Sequence, residues 1–202
     1  GGYKCAVFNN IAAGYDYGDN PARRNTAAFQ SMVSFENVIF NNTAHRFTMG
    51  SKRQSPQGSR EQYLGNVFLD MSDWVLYHAK AAKSPAEANE AHVPREDAAY
   101  QYETNAYAKN VIHGRPEHFG CFEQSGMPYD SLQAMAEALA EKDTKVAGIG
   151  VMADQPPLRD PDAGDFRPAP GGAAIDRGVR VFLPWGLASV VGEWHFTPRA
   201  DD

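Results

Sequence analysis

Asn37-Val38-Ile39-Phe40-Asn41-Asn42 is a β-branched and aromatic run closed on both sides by asparagine. Such a run reads as one short strand between turn residues. Three further segments have the same form: Ala6-Val7-Phe8-Asn9-Asn10, Asn66-Val67-Phe68-Leu69-Asp70 and Asn110-Val111-Ile112-His113-Gly114. Aligned on Val7, Val38, Val67 and Val111, the first three recur at about 30 residues, and a longer interval precedes the fourth. This spacing suits one turn of a β-solenoid per segment. Each turn contributes short strands that pair with the turns above and below, and Val, Ile and Phe stack inward. The corners require left-handed or bridging backbone, which Asn and Gly tolerate best. Asparagines at equivalent corners would also hydrogen-bond one another up and down the stack.

Between these segments the chain changes character. Residues 51 to 62 (Ser51 to Gln62) read as a polar loop with three basic residues and nothing to bury. An excursion runs from about Tyr77 to Tyr107. Within it, Ser84, Pro85 and Glu87 form a helix start: cap, first-turn proline, and acid at the third position. From Asp130 the period becomes helical, with Leu132, Met135, Ala136 and Leu139 on one face and Asp130 as the cap. Gly148 to Gly178 is rich in Gly and Pro. Val179 to Phe196 reads as two short strands, and the last residues as a linker. The division expected is solenoid turns over 1–128 with an insertion at about 77–107, a helix and closing cap over 129–178, and terminal strands or a linker to a further module over 179–202.

Composition narrows the function. The chain has 202 residues, 19 Lys plus Arg against 25 Asp plus Glu, and a formal charge of -6. That balance offers no general attraction to phosphate backbones, which argues against nucleic acid as a partner. No apolar run is long enough to span a membrane. The two cysteines, Cys5 and Cys121, have no metal-site spacing. They read either as a pair or as two buried thiols. Asn41-Asn42-Thr43 matches the glycosylation sequon, a pattern common by chance.

The stretch Asp154 to Gly178 carries the most specific pattern: Asp165-Phe166-Arg167, then Pro170-Gly171, then Ala174-Ile175-Asp176 and Gly178. It resembles the segment that ends many right-handed parallel β-helix proteins of the pectate-lyase-like type. Pro168 stands where Leu is usual, and Gly172-Ala173 replaces Ser-Pro. The resemblance implies an all-β fold, a right-handed parallel β-helix with loop insertions, a short helix and a C-terminal capping segment. In that cap Phe166 would plug the last turn, Ala174 and Ile175 would pack on its end, and Asp176 would bond turn amides. It also implies an extracellular carbohydrate-active protein, secreted or at the cell surface. The partners implied are a polysaccharide and further turns, upstream in the same protein or in a companion chain.

Chemistry is less clearly marked. In polysaccharide lyases of this fold a Lys or Arg takes the proton beside a uronate carboxylate, with Arg or Ca2+ neutralising the charge. Hydrolases use paired carboxylates instead. His113, Arg115, His78 and Lys80 follow the strand segments and are the catalytic candidates. His45, Arg46, Tyr102, Trp74 and His118 are the substrate-binding candidates. If Val38, Val67 and Val111 stack, His45, His78, His113, Arg115 and His118 share one groove. Each alone reads more readily as a solvated loop residue, and the aromatics as packing. His113, Glu117 and His118 are the nearest approach to a metal set, but no spacing pattern assigns a metal; Ca2+ is the ion the resemblance allows. Three functions remain open: a polysaccharide lyase or glycoside hydrolase, a non-catalytic glycan-binding or adhesion module, and a capping piece whose active site lies upstream.

Overall fold

The structure is a computed structural model and describes residues 5–14, 26–31, 37–53, 61–78, 106–122, 128–140 and 148–180. In chain order these form β1 (Ala6–Phe8), β2 (Ile11–Ala13), β3 (Ala27–Ser31), β4 (Val38–Phe40), β5 (Thr43–His45), β6 (Met49–Arg53), β7 (Gln62–Leu64), β8 (Val67–Leu69) and β9 (Trp74–His78). Then follow β10 (Ala106–Ala108), β11 (Asn110–His113), β12 (His118–Phe122), β13 (Pro128–Tyr129), helix α1 (Leu132–Ala140), β14 (Gly150–Met152), β15 (Leu158–Asp160), a 3-10 turn (Pro161–Ala163) and β16 (Asp165–Pro168).

Strands three apart in sequence pair in parallel. The first sheet is β1-β4-β7-β10, the second β14-β11-β8-β5-β2, and the third β13-β12-β9-β6-β3. Within these sheets only the β12–β13 pair is antiparallel. The described chain is thus mostly strand, in parallel sheets, with one short helix.

A column of asparagine side chains sets the register. Asn42 Oδ1 accepts from the backbone N and from Nδ2 of Asn10, at 3.1 and 3.0 Å. Asn66 Oδ1 accepts the same two bonds from Asn42, and Asn110 Oδ1 accepts them from Asn66. Each buried amide also donates Nδ2 to a strand carbonyl: Asn42 to Val7, Asn66 to Ile39, Asn110 to Tyr63. The residue before each of them turns the chain with positive φ: Asn9, Asn41, Gly65 and Lys109. Asparagine and glycine take that conformation at little cost. The expected ladder of corner asparagines is therefore present.

The ladder also corrects the alignment on four valines. Val38 lies in the first sheet, between Ala6 and Gln62. Val67 lies in the second, between Thr43 and Val111. The resemblance among the four segments is real but mixes two sheets, because the strands on both sides of an asparagine corner carry similar side chains.

Alternation then divides the faces. Ile39, Tyr63 and Tyr107 of the first sheet, Ala44, Phe68 and Ile112 of the second, and Val75, Leu76 and Phe119 of the third form one buried cluster. Helix α1 closes one end of it. Its Met135 is fully buried in the cluster, with Leu132 and Ala136 packed against it. Ser131, rather than Asp130, caps this helix, its Oγ accepting from Ala134 N at 3.0 Å. The side chain of Leu139 lies outside the described residues.

Other expectations change. Ser51, Lys52 and Arg53 are not loop: they complete β6, pair with β3 and β9, and are buried. Phe166 does not plug the last repeat, the place α1 takes. It lies against His45, in the second repeat, at a ring distance of 6.0 Å. Ile175 is 43% exposed instead of packed on an end. The chain after β14 runs back along the flank. Asn41 exchanges hydrogen bonds with the backbone of Val179, donating Nδ2 to its carbonyl and accepting from its N, both at 2.9 Å. That occupies the amide nitrogen a sequon glycan would need. Cys5 is exposed, against the buried-thiol reading; the Cys121 side chain lies outside the described residues. So do the helix starting at Ser84 and the strands after residue 180.

Asn66→Ala removes four side-chain ladder bonds from a fully buried position and takes away the acceptor of the Asn42 backbone N–H. It should cost about 2–3 kcal/mol in urea unfolding. Asn10→Ala, at the exposed end of the ladder, should cost under about 1 kcal/mol.

Candidate functional site

Three groups of polar side chains are assembled by this register, and they differ in access. The first is on the flank of the second sheet. His45 ends β5, and Arg46 follows it at a positive-φ corner. The turn after β15 brings Asp162 within 3.5 Å of His45 Nε2 and 2.9 Å of Arg46 Nη1. Asp70 lies 4.0 Å from the same imidazole. Burial is the main force on His45 and lowers its pKa; Asp162 pulls the other way. β16 alternates as a strand should: Asp165 and Arg167 pair on one side at 2.6 Å, and Phe166 faces His45 from the other. That ion pair holds Asp165 down to about 2. An open cavity of about 650 Å³ lies between Ile11 and this strand, lined by Phe166, Arg167 and Pro168. The contacts of His45 and Arg46 are those of a latch that holds the tail against the sheet.

The second group is inside. His78 ends β9 pointing into the cluster, its ring 4.6 Å from Tyr63 and 5.7 Å from Tyr107. Its Nε2 is 3.1 Å from Ser51 Oγ, and its Nδ1 shares a short hydrogen bond with the Tyr107 hydroxyl. Tyr63 donates to Glu61 at 2.6 Å, and Ser31 donates to the same carboxylate oxygen at 3.1 Å. Burial holds His78 neutral, its pKa lowered to about 3, with Arg53 adding to the effect. Burial and the Glu61 charge push Tyr63 well above its usual range. All of these groups except Ser31 are sealed from solvent. They satisfy one another's hydrogen bonds, as buried polar groups must.

The third group is at the surface where the third sheet begins. His118 N donates to the Asp73 carbonyl at 2.7 Å, and His118 pairs in register with Trp74. Neighbouring repeats therefore bring Asp73-Trp74 beside Glu117-His118. The Trp74 and His118 rings meet at 4.5 Å. Trp74 also meets Tyr77 edge-on at 5.2 Å, and the Lys52 ammonium lies 5.9 Å from the Tyr77 ring centre. One ligand atom each from Asp73, Glu117 and His118 lies within 4.8 Å of the others. Glu117 is 72% exposed and His118 31%. The Nδ1 atom of His118 is buried without a hydrogen-bond partner.

The single groove expected from the sequence is therefore three places. His45 and His113 share a column of the second sheet, separated by Leu69, and His113 Nδ1 lies 2.9 Å from the Ala153 carbonyl. His78 is interior. Trp74 and His118 come together, and Arg115 is exposed close by in sequence. Lys80 and Tyr102 lie outside the described residues. The acids Asp73 and Glu117 complete the surface group. The offset of 44 residues that stacks Asn66 on Asn110 also carries Asp73 onto Glu117 and Trp74 onto His118, so an acid–ring dipeptide repeats at that offset. His113, expected with Glu117 and His118 in any metal set, gives way to Asp73, because its ring turns toward Ala153. Among the described residues no helix is long and apolar enough to cross a membrane.

Comparison with family models, curated proteins and solved structures yields no match for this chain.

The buried histidines set an acid sensitivity. His78 binds its proton more weakly folded (about 3) than unfolded (ordinarily 6.5), so the unfolded chain holds more protons between those values. Stability is then full above about pH 6.5 and is lost as pH falls toward 3; His45 adds to it with the same sign. The urea midpoint should drop between pH 7 and 4.5, and His78→Gln should flatten that drop.

Proposed function

We propose that this chain is a portion of an extracellular, carbohydrate-active protein of the right-handed parallel β-helix type, and that Asp73, Trp74, Glu117 and His118 form its glycan-contacting site. What supports the fold reading is the pairing of every third strand, with a shared core and corner asparagines, which is how a coil stacked on itself behaves. The Asp165 to Gly178 pattern agrees with it in sequence, though here that segment lies along the flank. The observation that carries the functional reading is the Trp74–His118 ring contact beside two carboxylates at an accessible edge. Sugars bind on such surfaces: an aromatic face takes the C–H side of the ring, and carboxylates accept from its hydroxyls. Paired acids also belong to glycoside hydrolysis more than to lyase chemistry.

Further repeats, upstream in the same protein or on a companion chain, are the proposed partner of the opposite end. There β1, β2 and β3 are the edge strands of all three sheets, and Val7 and Ile11 are 38% and 56% exposed. Among the described residues nothing pairs with these parallel edges, and such edges bearing apolar side chains invite another layer.

A second reading, a non-catalytic glycan-binding module, rests on the same site, and one experiment separates the two. Acidic and neutral polysaccharides are immobilised in gels, and the chain is tested for retention and for released sugar. Retention lost in Trp74→Ala by tenfold or more, with folding intact by circular dichroism, is the expected result. Released reducing ends or unsaturated uronates mark an enzyme; retention without product marks a binding module. Equal retention of wild type and Trp74→Ala contradicts the assignment of the site.

A further inference from the structure

We infer that Asp73, Glu117 and His118 hold a divalent transition-metal ion of the zinc class, as a three-ligand site with an open position facing solvent. This deepens the glycan-contact reading, because it names the group at that site that would meet a sugar's hydroxyls or uronate carboxylate.

The geometry is the first ground. Backbone pairing fixes the two acid–ring dipeptides side by side, with His118 N on the Asp73 carbonyl and Glu117 N on the Ser72 carbonyl. One ligand atom from each side chain then falls within 4.8 Å of the other two; ligands of one ion with bonds of about 2 Å stand within about 4 Å of each other, a gap that rotation of the exposed Glu117 side chain closes. The second ground is the imidazole itself. It is not held as a hydrogen-bonded surface histidine: its Nδ1 is enclosed with no partner, and its Nε2 is 3.8 Å from Glu117, beyond hydrogen-bond length. The Trp74 ring packs on it at 4.5 Å and limits its freedom to turn. A ring positioned by packing, with Nε2 near the Glu117 carboxylate and Asp73 in the same cluster, is arranged for an ion between them. The third ground is donor chemistry. One imidazole and two carboxylates form a mixed nitrogen–oxygen set suited to zinc-class ions, and a purely oxygen set would be expected for Ca2+. Three protein ligands leave one tetrahedral position for water or a ligand oxygen.

The test uses the whole chain, stripped with chelator, and no sugar. Zn2+ binding is measured by calorimetry, and Ni2+ binding by quenching of tryptophan fluorescence, with Trp74→Phe identifying the quenched ring. One Zn2+ per chain should bind. Glu117→Gln, at an exposed side chain, should weaken it about tenfold or more, as should His118→Ala. Quenching should vanish in Trp74→Phe while Zn2+ still binds. Absence of Zn2+ binding, or binding unchanged in both Glu117→Gln and His118→Ala, overturns the inference. The outcome is separable from the glycan reading: polysaccharide retention that survives chelator with no Zn2+ bound leaves the sugar site and removes the ion. Zn2+ binding without retention does the reverse.

Discussion

The carboxamide column through Asn10, Asn42, Asn66 and Asn110 is the constraint on which the other described features depend. Asn42, Asn66 and Asn110 each bond two neighbouring repeats at once, through Oδ1 on one side and Nδ2 on the other. The Asn42, Asn66 and Asn110 side chains are sealed from water, so a broken bond has no solvent substitute. A one-residue slip between repeats would break the column and also turn the inward Ile39, Phe68 and Ile112 to the outside. Register, core and corner are thus one decision. The surface group inherits it, since Trp74 and His118 stand side by side only because Asn66 and Asn110 do.

Polar groups sort by which side of the sheets alternation sends them to. Inward, they are tolerated where they form closed sets, such as Glu61 with Tyr63 and Ser31, or His78 with Ser51 and Tyr107. Both sets sit where the third sheet passes toward the first. Outward on the second sheet, the returning tail covers what would otherwise be an open face, and the Asp162 carboxylate meets His45 and Arg46 there. A histidine so placed is a packing element. The start of the third sheet keeps its ionisable groups together and in contact with water, which is why the functional reading rests there.

Much of this was legible in sequence, and the failures have physical reasons. Asn9-Asn10, Asn41-Asn42 and Gly65-Asn66 announce left-handed corners followed by a strand, so parallel short strands and an asparagine ladder could be read directly. The alignment of Val38 with Val67 failed because a strand before the corner and a strand after it share the same apolar chemistry; only the asparagine distinguishes them. Ser51-Lys52-Arg53 read as loop because strand propensity undervalues polar residues whose long side chains are covered by neighbours. Phe166 was recognised as apolar and structural, but its partner His45 is remote in sequence. Glu117 stood out beside His118 in the sequence, but Asp73 was invisible until the repeat offset was known.

Register is the claim on which the site, the core and the ladder all stand, and cross-linking measures it directly. In a background without Cys5 and Cys121 thiols, cysteines are placed at Thr43 and Val67, and separately at Val38 and Val67. Paired positions on adjacent strands lie about 5 Å apart, within disulfide reach. Mild oxidation should close the Thr43–Val67 pair and leave the Val38–Val67 pair reduced. Closure of Val38–Val67 with Thr43–Val67 left open would contradict the ladder and everything placed by it.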